Sequence, residues 1–203
     1  MKVRTLFYTI GLLILTMGVS LIIKAGLGAS AWDALAVGQS ETFQLTVGTF
    51  VFINGMILIF LNSLLMKKKP ELLAAGSIFL IGLLIDFWLL IALPNLVPAN
   101  TAVQYLWLLA GILAVGIGVS VYLQAKFPAS PMDTLMVAIQ QRFGLSLRTS
   151  RIMSESFALL LAFLFRGPIG IGTILVTFSL GFVVQYFYPK SEALLQYFQK
   201  KPN

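Results

Sequence analysis

Two acidic residues occupy matching places in a chain that is otherwise poor in charge. Asp33 and Asp133 each follow a serine by three residues, in the segments Ser30-Ala-Trp-Asp33 and Ser130-Pro-Met-Asp133. This spacing is typical of a capping box, in which the serine bonds to the third helical amide and the acidic side chain bonds back. Such carboxylates offset the positive N-terminal helix dipole, so the pair favours protons, Na⁺ or an amine-bearing solute over an anion. Structural capping and direct ligand contact are both open for these two residues.

Two further polar residues lie deep within apolar segments. Asp86 is followed by Phe87-Trp88, and Gln185 takes the equivalent place in the last apolar segment, where Gly181–Gln185 aligns with Gly82–Asp86. A carboxylate inside a membrane span is costly and is a functional candidate. A place near the outer interface, with Trp88 in an aromatic belt, is the alternative for Asp86.

Glu155 follows Arg151 by four residues, the spacing at which opposite charges pair on one face of a helix. The alternative is that Glu155 lines a cytoplasmic vestibule. The candidate substrate- or ion-binding residues are Asp33, Asp133, Ser30, Ser130, Trp32, Asp86, Gln185, Asn54, Ser154 and Glu155.

The residue types that are missing exclude most catalytic chemistry. The chain contains no His and no Cys, so it has no imidazole base, no thiolate nucleophile and no Cys-based metal site. No sequence motif of a metalloprotease or of a serine hydrolase is present. We therefore expect no enzyme activity, no cofactor and no bound metal.

The composition predicts that these residues are positioned by membrane-spanning helices. The 203 residues are 59% hydrophobic and 10% charged, with a mean hydropathy of +0.94, whereas soluble domains carry about 25% charged residues. A membrane span needs about 20 apolar residues. Six segments meet this length: 4–25, 45–66, 71–93, 102–124, 148–166 and 169–188. Two further segments, 30–43 and 130–143, are too short to cross and are predicted to be re-entrant or interfacial helices.

The basic residues predict the orientation of these spans. With six spans and a cytoplasmic N-terminus, only Lys24 and Arg166 of the 14 basic residues lie outside. The cytoplasmic side then holds Lys2, Arg4, Lys67, Lys68, Lys69, Lys126, Arg142, Arg148, Arg151, Lys190, Lys200 and Lys201. This excess is the positive-inside pattern. The net charge of +7 is therefore a topology signal, and we expect no nucleic-acid partner.

An internal repeat divides the chain into two halves. Residues 11–49 match residues 111–149 without a gap, and both acids and both cap serines recur at this offset of 100 residues. Each half, 1–99 and 100–203, holds three spans and one short helix. Because three is odd, the second half enters the membrane from the opposite side. The sequence thus predicts an all-α membrane protein built from two inverted-topology repeats.

Three glycine-rich segments carry a resemblance to a known family. Gly-Leu-Gly-x-x-x-Trp32-Asp33-x-Leu, Leu45-Thr-Val-Gly-Thr49 and Gly172-Thr-x₇-Gly181 make the chain similar to the YczE/YitT-type bacterial integral membrane proteins, closest to the YczE branch. Trp32 has no aromatic counterpart in the second half, where Met132 takes its place. The resemblance implies a multi-pass protein of the bacterial cytoplasmic membrane.

Inverted repeats with interrupted helices are typical of secondary transporters, whose site lies at the repeat interface. We therefore expect a transporter of a small solute, coupled to protons or another cation. The alternatives are a channel, or an accessory or scaffold protein for a biosynthetic or envelope process. The expected partners are the lipid bilayer and the solute or ion, and homo-oligomerisation is left open.

Overall fold

The computed structural model describes residues 2–127 and 130–200, and these residues form helices and no β-strand. Residues 128 and 129 of the second repeat copy and the basic residue Lys201 lie outside the described part. Within that part the helices are α1 (Lys2–Ala25), α2 (Ala31–Phe43), α3 (Val47–Met66), α4 (Leu73–Asp86), α5 (Thr101–Tyr122), α6 (Pro131–Phe143), α7 (Leu147–Leu164) and α8 (Ile171–Lys200). A π-helical segment, Phe87–Ala92, continues α4, and a 3₁₀ turn, Leu123–Ala125, continues α5.

Five of the helical stretches are long and apolar enough to cross a bilayer. They are Val3–Ala25, Val47–Met66, Leu73–Ala92, Thr101–Ala125 and Ile171–Gln199. α7 has 18 residues, but Arg148, Arg151 and Glu155 lie in its first three turns, and it is not among the five. The span predicted at 148–166 therefore stays a prediction. The chain is a multi-pass membrane protein.

The two short segments form helices close to the predicted bounds. α2 and α6 each contain 13 residues, which corresponds to about 20 Å and is shorter than the bilayer core of about 30 Å. Each helix ends at a residue in the left-handed conformation, Gln44 and Gly144 respectively.

The last helix differs from the sequence prediction. The predicted span ends at residue 188, whereas α8 continues through Pro189 to Lys200. Proline removes one backbone hydrogen bond, but residues on both sides remain helical. Phe198 near this end packs edge-on against Phe7 of α1, with 6.3 Å between the ring centroids.

The chain divides into two compact units, and each unit contains helices from both halves of the sequence. The first unit comprises α1, the π-helical segment, α5, the 3₁₀ turn and α8. The second unit comprises α2, α3, α4, α6 and α7.

In the first unit, α1 and α5 pack closely because glycines line their contact. A Cβ added at Gly18 would lie 2.6 Å from the Val115 nitrogen, and one at Gly111 would lie 2.6 Å from Ile22 Cγ1. The residue number falls along α5 as it rises along α1, so the two helices run antiparallel.

A second pair of glycines lines the same crossing, again with one glycine on each helix. A Cβ at Gly118 would meet the backbone of Leu15, and one at Gly11 would lie 2.5 Å from the Tyr122 nitrogen. Gly11 and Gly18 are the residues that correspond to Gly111 and Gly118 in the sequence repeat. Each half thus contributes two glycines to the crossing at equivalent places.

In the second unit, each short helix packs against one longer helix from each half. α2 contacts α7 and α3, while α6 contacts α3 and α7. A Cβ at Gly38 of α2 would lie 2.6 Å from the Phe165 carbonyl oxygen, which shows how closely α2 approaches the end of α7. α4 packs along α3. The starts of both short helices are therefore held in one unit.

Candidate functional site

The start of α2 is capped by its own serine, as predicted. The Ser30 hydroxyl accepts a hydrogen bond from the Asp33 amide at 3.3 Å and donates one to Asp33 Oδ2 at 2.5 Å. The hydroxyl therefore holds the carboxylate against the first turn of the helix, where the helix dipole favours negative charge. Asp33 is half-buried.

The start of α6 is built differently, although its sequence has the same spacing. Ser130 makes no side-chain cap bond, and its hydroxyl donates to the Met132 sulfur at 3.2 Å instead. Pro131 occupies the first helical position, where its missing N–H leaves no bond unmade. The serine cap is thus formed in the first half, where the Asp33 side chain bonds back to the Ser30 hydroxyl. It is not formed in the second half, because the Ser130 hydroxyl is turned toward the Met132 sulfur. Asp133 is exposed at the start of this helix.

Both of these acids share an electrostatic environment with two charged residues of α7. The Arg151 guanidinium is within electrostatic range of the Asp133 and Glu155 carboxyl groups, and Glu155 is within that range of Asp33 and Asp133. Glu155 is half-buried, whereas Arg151 is exposed. Three carboxyl groups accompany one guanidinium, so the cluster holds more acidic than basic groups. We call Asp33, Asp133, Arg151 and Glu155 the acidic cluster.

The acidic cluster is too open to chelate a metal ion. In residues 2–127 and 130–200, no three acidic side chains lie close enough together to hold one. The carboxylates instead suit a proton, or a cation that contacts them one at a time. An organic cation also needs an apolar wall beside the charge.

Such a wall is present beside the short helices. Leu58, Leu135 and Ile139 form a buried apolar cluster, and both Trp32 and Met132 pack against it. Trp32 follows the first helical residue of α2 directly, and Met132 has the same place in α6. Trp32 and Met132, which occupy the same place in the two halves, therefore contribute to one packed surface.

Asn54 on α3 and Ser154 on α7, which lie 100 residues apart, are both buried. The Asn54 side-chain amide donates to Gln39 Oε1 at 2.7 Å, which ties α3 to α2. Ser154 lies directly before Glu155 on α7. The sequence did not identify Gln39 as a partner, because the equivalent position in the second half holds Ile139 and the repeat therefore does not mark it.

Asp86 is the last residue of α4, and its carboxylate accepts two hydrogen bonds from the start of α3. The Thr46 hydroxyl donates to Asp86 Oδ2 at 2.6 Å and the Gly48 amide donates to Oδ1 at 2.7 Å. Gly48 is required for this approach, since a Cβ at that position would lie 2.6 Å from the Asp86 carboxyl carbon. The carboxylate therefore caps a helix from the end of α4, and its partners are residues outside the acidic cluster.

We expect Asp86→Ala to destabilise the protein, because two N-terminal donors of α3 lose their acceptor. Caps and charge-assisted hydrogen bonds contribute about 1–3 kcal/mol, so the midpoint of thermal unfolding in detergent should fall by several degrees. Gln185→Ala is the matched control, because Gln185 corresponds to Asp86 in the second half and is exposed on α8. An equal midpoint for the Asp86→Ala and Gln185→Ala proteins would contradict this capping role.

The acidic candidates and Gln185 thus fall into three places. The acidic cluster holds Asp33, Asp133 and Glu155, whereas Asp86 ends α4 and caps α3, and Gln185 lies on α8 of the first unit. The sequence paired Arg151 with Glu155, but did not predict that Arg151 also interacts with Asp133. The sequence repeat did not indicate Arg151, because the residue 100 positions earlier is Val51.

The chain was compared with protein families, curated proteins and solved structures. Residues 2–189 match the family of unknown function DUF6198. The chain is 38% identical over 187 residues to the uncharacterised protein YyaS of Bacillus subtilis, covering 92% of both chains. It is 37% identical over 195 residues to the uncharacterised membrane protein YczE of the same organism, covering 96% of this chain and 89% of YczE.

An uncharacterised protein of Haemophilus influenzae is 33% identical over 176 residues, or 86% of this chain and 78% of the relative. No solved structure matches the chain significantly. The YczE match confirms the family predicted from the glycine-rich segments. The chain therefore belongs to the DUF6198 family of YczE-type bacterial membrane proteins.

Proposed function

We propose that the protein is a transporter of a small cationic solute, coupled to protons or another cation. The observation that carries this proposal is the acidic cluster, in which two short helices that both pack on α7 carry Asp33 and Asp133 in their first turns, within electrostatic range of Glu155 on α7. Ionisable groups at membrane depth mark ion and substrate pathways. An excess of carboxylates attracts cations and exchanges protons.

The proposed architecture is six spans in two inverted repeats. The exchanged contacts support it: α2 of the first half packs on α7 of the second, and α6 of the second half packs on α3 of the first. The antiparallel crossing of α1 and α5 supports it too, because equivalent helices of inverted halves run in opposite directions. The positive-inside rule then places both termini in the cytoplasm of a bacterial cell.

The mechanism we propose uses Arg151 as an internal counter-charge. When the acidic cluster binds no solute, the guanidinium partly neutralises Asp133 and Glu155. A cationic solute competes with Arg151 and with protons for these carboxylates, so solute and proton cannot both occupy the site fully. This competition is the basis of exchange of one cation for another.

The test is uptake into proteoliposomes that contain the purified protein. Labelled guanidinium, tetramethylammonium and Na⁺ serve as probes. None of them has a neutral form that could cross the bilayer without the protein and follow the pH gradient. Each is offered outside the liposomes with the interior acidic, and again with the interior alkaline. We expect one probe to accumulate inside above its external concentration, and a protonophore should abolish this accumulation.

The outcomes separate the classes of function. Equilibration of a probe without accumulation would indicate a channel and contradict the coupling. Uptake equal to that of protein-free liposomes for all probes, together with a partner that co-purifies stably, would contradict transport of these cations and indicate the accessory role.

A further inference from the structure

A second polar site lies in the second unit, at the end of α3 where the three consecutive lysines begin. A cavity of about 220 Å³ opens there between α3, the α3–α4 connection, α4 and α6. Lys68, Lys69 and Glu71 line its charged part, and Ile59, Met66 and Ala74 line its apolar part. The residues of the acidic cluster do not line it.

The backbone turn at the end of α3 places Lys68 and Lys69 beside this cavity. Lys67 adopts the left-handed conformation, with φ 52°. The Lys67 amide donates to the Leu64 carbonyl at 3.3 Å and the Lys68 amide to the Ser63 carbonyl at 3.1 Å. These two bonds form a Schellman motif. The motif satisfies the Ser63 and Leu64 carbonyls with backbone amides, so neither needs a lysine ammonium group as its donor.

The cavity also contains an unpartnered polar atom. Asn62 lines the cavity and is only 4% exposed. Its amide nitrogen donates to the Pro131 carbonyl at 2.8 Å, whereas its Oδ1 accepts no hydrogen bond from the described residues. A buried acceptor without a donor is rare and costly. The lining therefore holds two ammonium donors for an anion beside the Glu71 carboxylate, and Asn62 carries a buried acceptor in the same wall.

We propose that this cavity binds a phosphate ester that carries a neighbouring hydroxyl or amine, as in a glycerophospholipid headgroup. Lys68 and Lys69 bind the phosphate oxygens, and Asn62 Oδ1 accepts a hydrogen bond from the hydroxyl or amine. The first turn of α4, where Ala74 lies, adds the positive end of a helix dipole. The apolar part of the cavity receives the glycerol carbons.

A lipid source and a soluble source share this chemistry. Basic pockets between transmembrane helices on the cytoplasmic side bind acidic lipid headgroups, and the positive-inside rule predicts that Lys67, Lys68 and Lys69 lie on that side. A soluble ester such as glycerol 3-phosphate has the same phosphate and the same hydroxyls, but no acyl chains.

The test measures binding to the full-length protein in detergent by native mass spectrometry and by thermal unfolding. Phosphatidylglycerol, phosphatidylcholine and glycerol 3-phosphate are added separately. Phosphatidylcholine has the phosphate but no hydroxyl or N–H donor in its headgroup. We expect phosphatidylglycerol to bind more tightly than phosphatidylcholine and to raise the unfolding midpoint.

Two variants and one control show whether the binding takes place in the cavity. Lys68→Gln with Lys69→Gln should weaken binding about 10-fold or more, because two charge-assisted bonds are lost. Lys67→Gln is the matched control, since Lys67 belongs to the same lysine run but does not line the cavity. Asn62→Leu should remove the preference for phosphatidylglycerol over phosphatidylcholine.

Each outcome decides the proposal. Lysine-dependent binding of phosphatidylglycerol supports it and assigns a lipid, and lysine-dependent binding of glycerol 3-phosphate alone supports it and assigns a soluble ester. Equal binding by the wild type, the double variant and the Lys67→Gln control would overturn it. Equal affinity for phosphatidylglycerol and phosphatidylcholine in the wild type would overturn the role of Asn62.

Discussion

Replacing both Asp33 and Asp133 by Asn is expected to abolish gradient-driven uptake of the cationic probe. The two substitutions keep the size and the hydrogen-bonding oxygen of each side chain and remove its charge. Charge-assisted hydrogen bonds contribute about 1.5–3 kcal/mol each, which corresponds to a loss of about 10- to 150-fold in binding per residue. We expect each single variant to retain weak uptake and the double variant to be indistinguishable from protein-free liposomes.

The control for this pair is Glu41→Gln, which removes a charge from α2 at an exposed position near its end. This variant should transport like the wild type. Size-exclusion profiles and unfolding midpoints establish that the two Asp→Asn variants are folded, which is expected because an asparagine at position 33 can still accept a hydrogen bond from the Ser30 hydroxyl. Wild-type uptake by the folded double variant would contradict the role of these carboxylates.

Adding a single methyl group at Gly18 or Gly118 is expected to destabilise the protein to a similar extent. A Cβ at Gly18 would lie 2.6 Å from the Val115 nitrogen and 2.8 Å from the Gly111 carbonyl oxygen. Backbone atoms cannot move aside as a side chain can, so α1 and α5 must separate. Overpacking of this kind costs about 1–3 kcal/mol, and variants with the larger leucine at either position should fail to accumulate as folded protein.

The matched control is Gly76→Ala on α4, where an added Cβ meets nothing within 4 Å. This change should be neutral or stabilise the helix by up to about 1 kcal/mol. Unfolding midpoints of the purified Gly18→Ala, Gly118→Ala and Gly76→Ala proteins measure all three effects. A large loss at Gly18 with none at Gly118 would contradict equivalent roles of the two halves in this crossing.

Much of the helical framework could be predicted from apolar length alone. Five of the predicted spans coincide with helices able to cross a membrane, and 30–43 and 130–143 form the short helices α2 and α6. The extension of α8 was missed because Pro189 and the polar residues after it resemble the end of a span. The helix continues because proline costs one hydrogen bond while its neighbours keep theirs.

The arrangement of the site was harder to predict, because it depends on contacts between distant residues. The cap of α2 is local, and the sequence identified Ser30 and Asp33 correctly. The cap predicted at Ser130 was wrong, because the Ser130 hydroxyl is turned toward the Met132 sulfur and accepts no bond from the start of α6. Asp86 binds the start of α3, 38 residues earlier in the chain, and no local pattern indicates this partner.

The arrangement on which this account depends is the inversion of the two halves, and single-cysteine labelling tests it most directly. The chain has no Cys, so a single introduced thiol is the only one to react. Glu41→Cys and Gln141→Cys lie near the ends of α2 and α6, are exposed, and correspond to each other in the repeat. A membrane-impermeant maleimide is applied to intact spheroplasts and to inverted membrane vesicles.

We predict that the thiol at position 41 reacts in spheroplasts and the thiol at position 141 reacts only in inverted vesicles. This result would place the ends of the two short helices on opposite sides of the membrane. Labelling of both positions from the same side would contradict the inverted repeat, and with it the proposal that each half contributes one acid to a shared transport site.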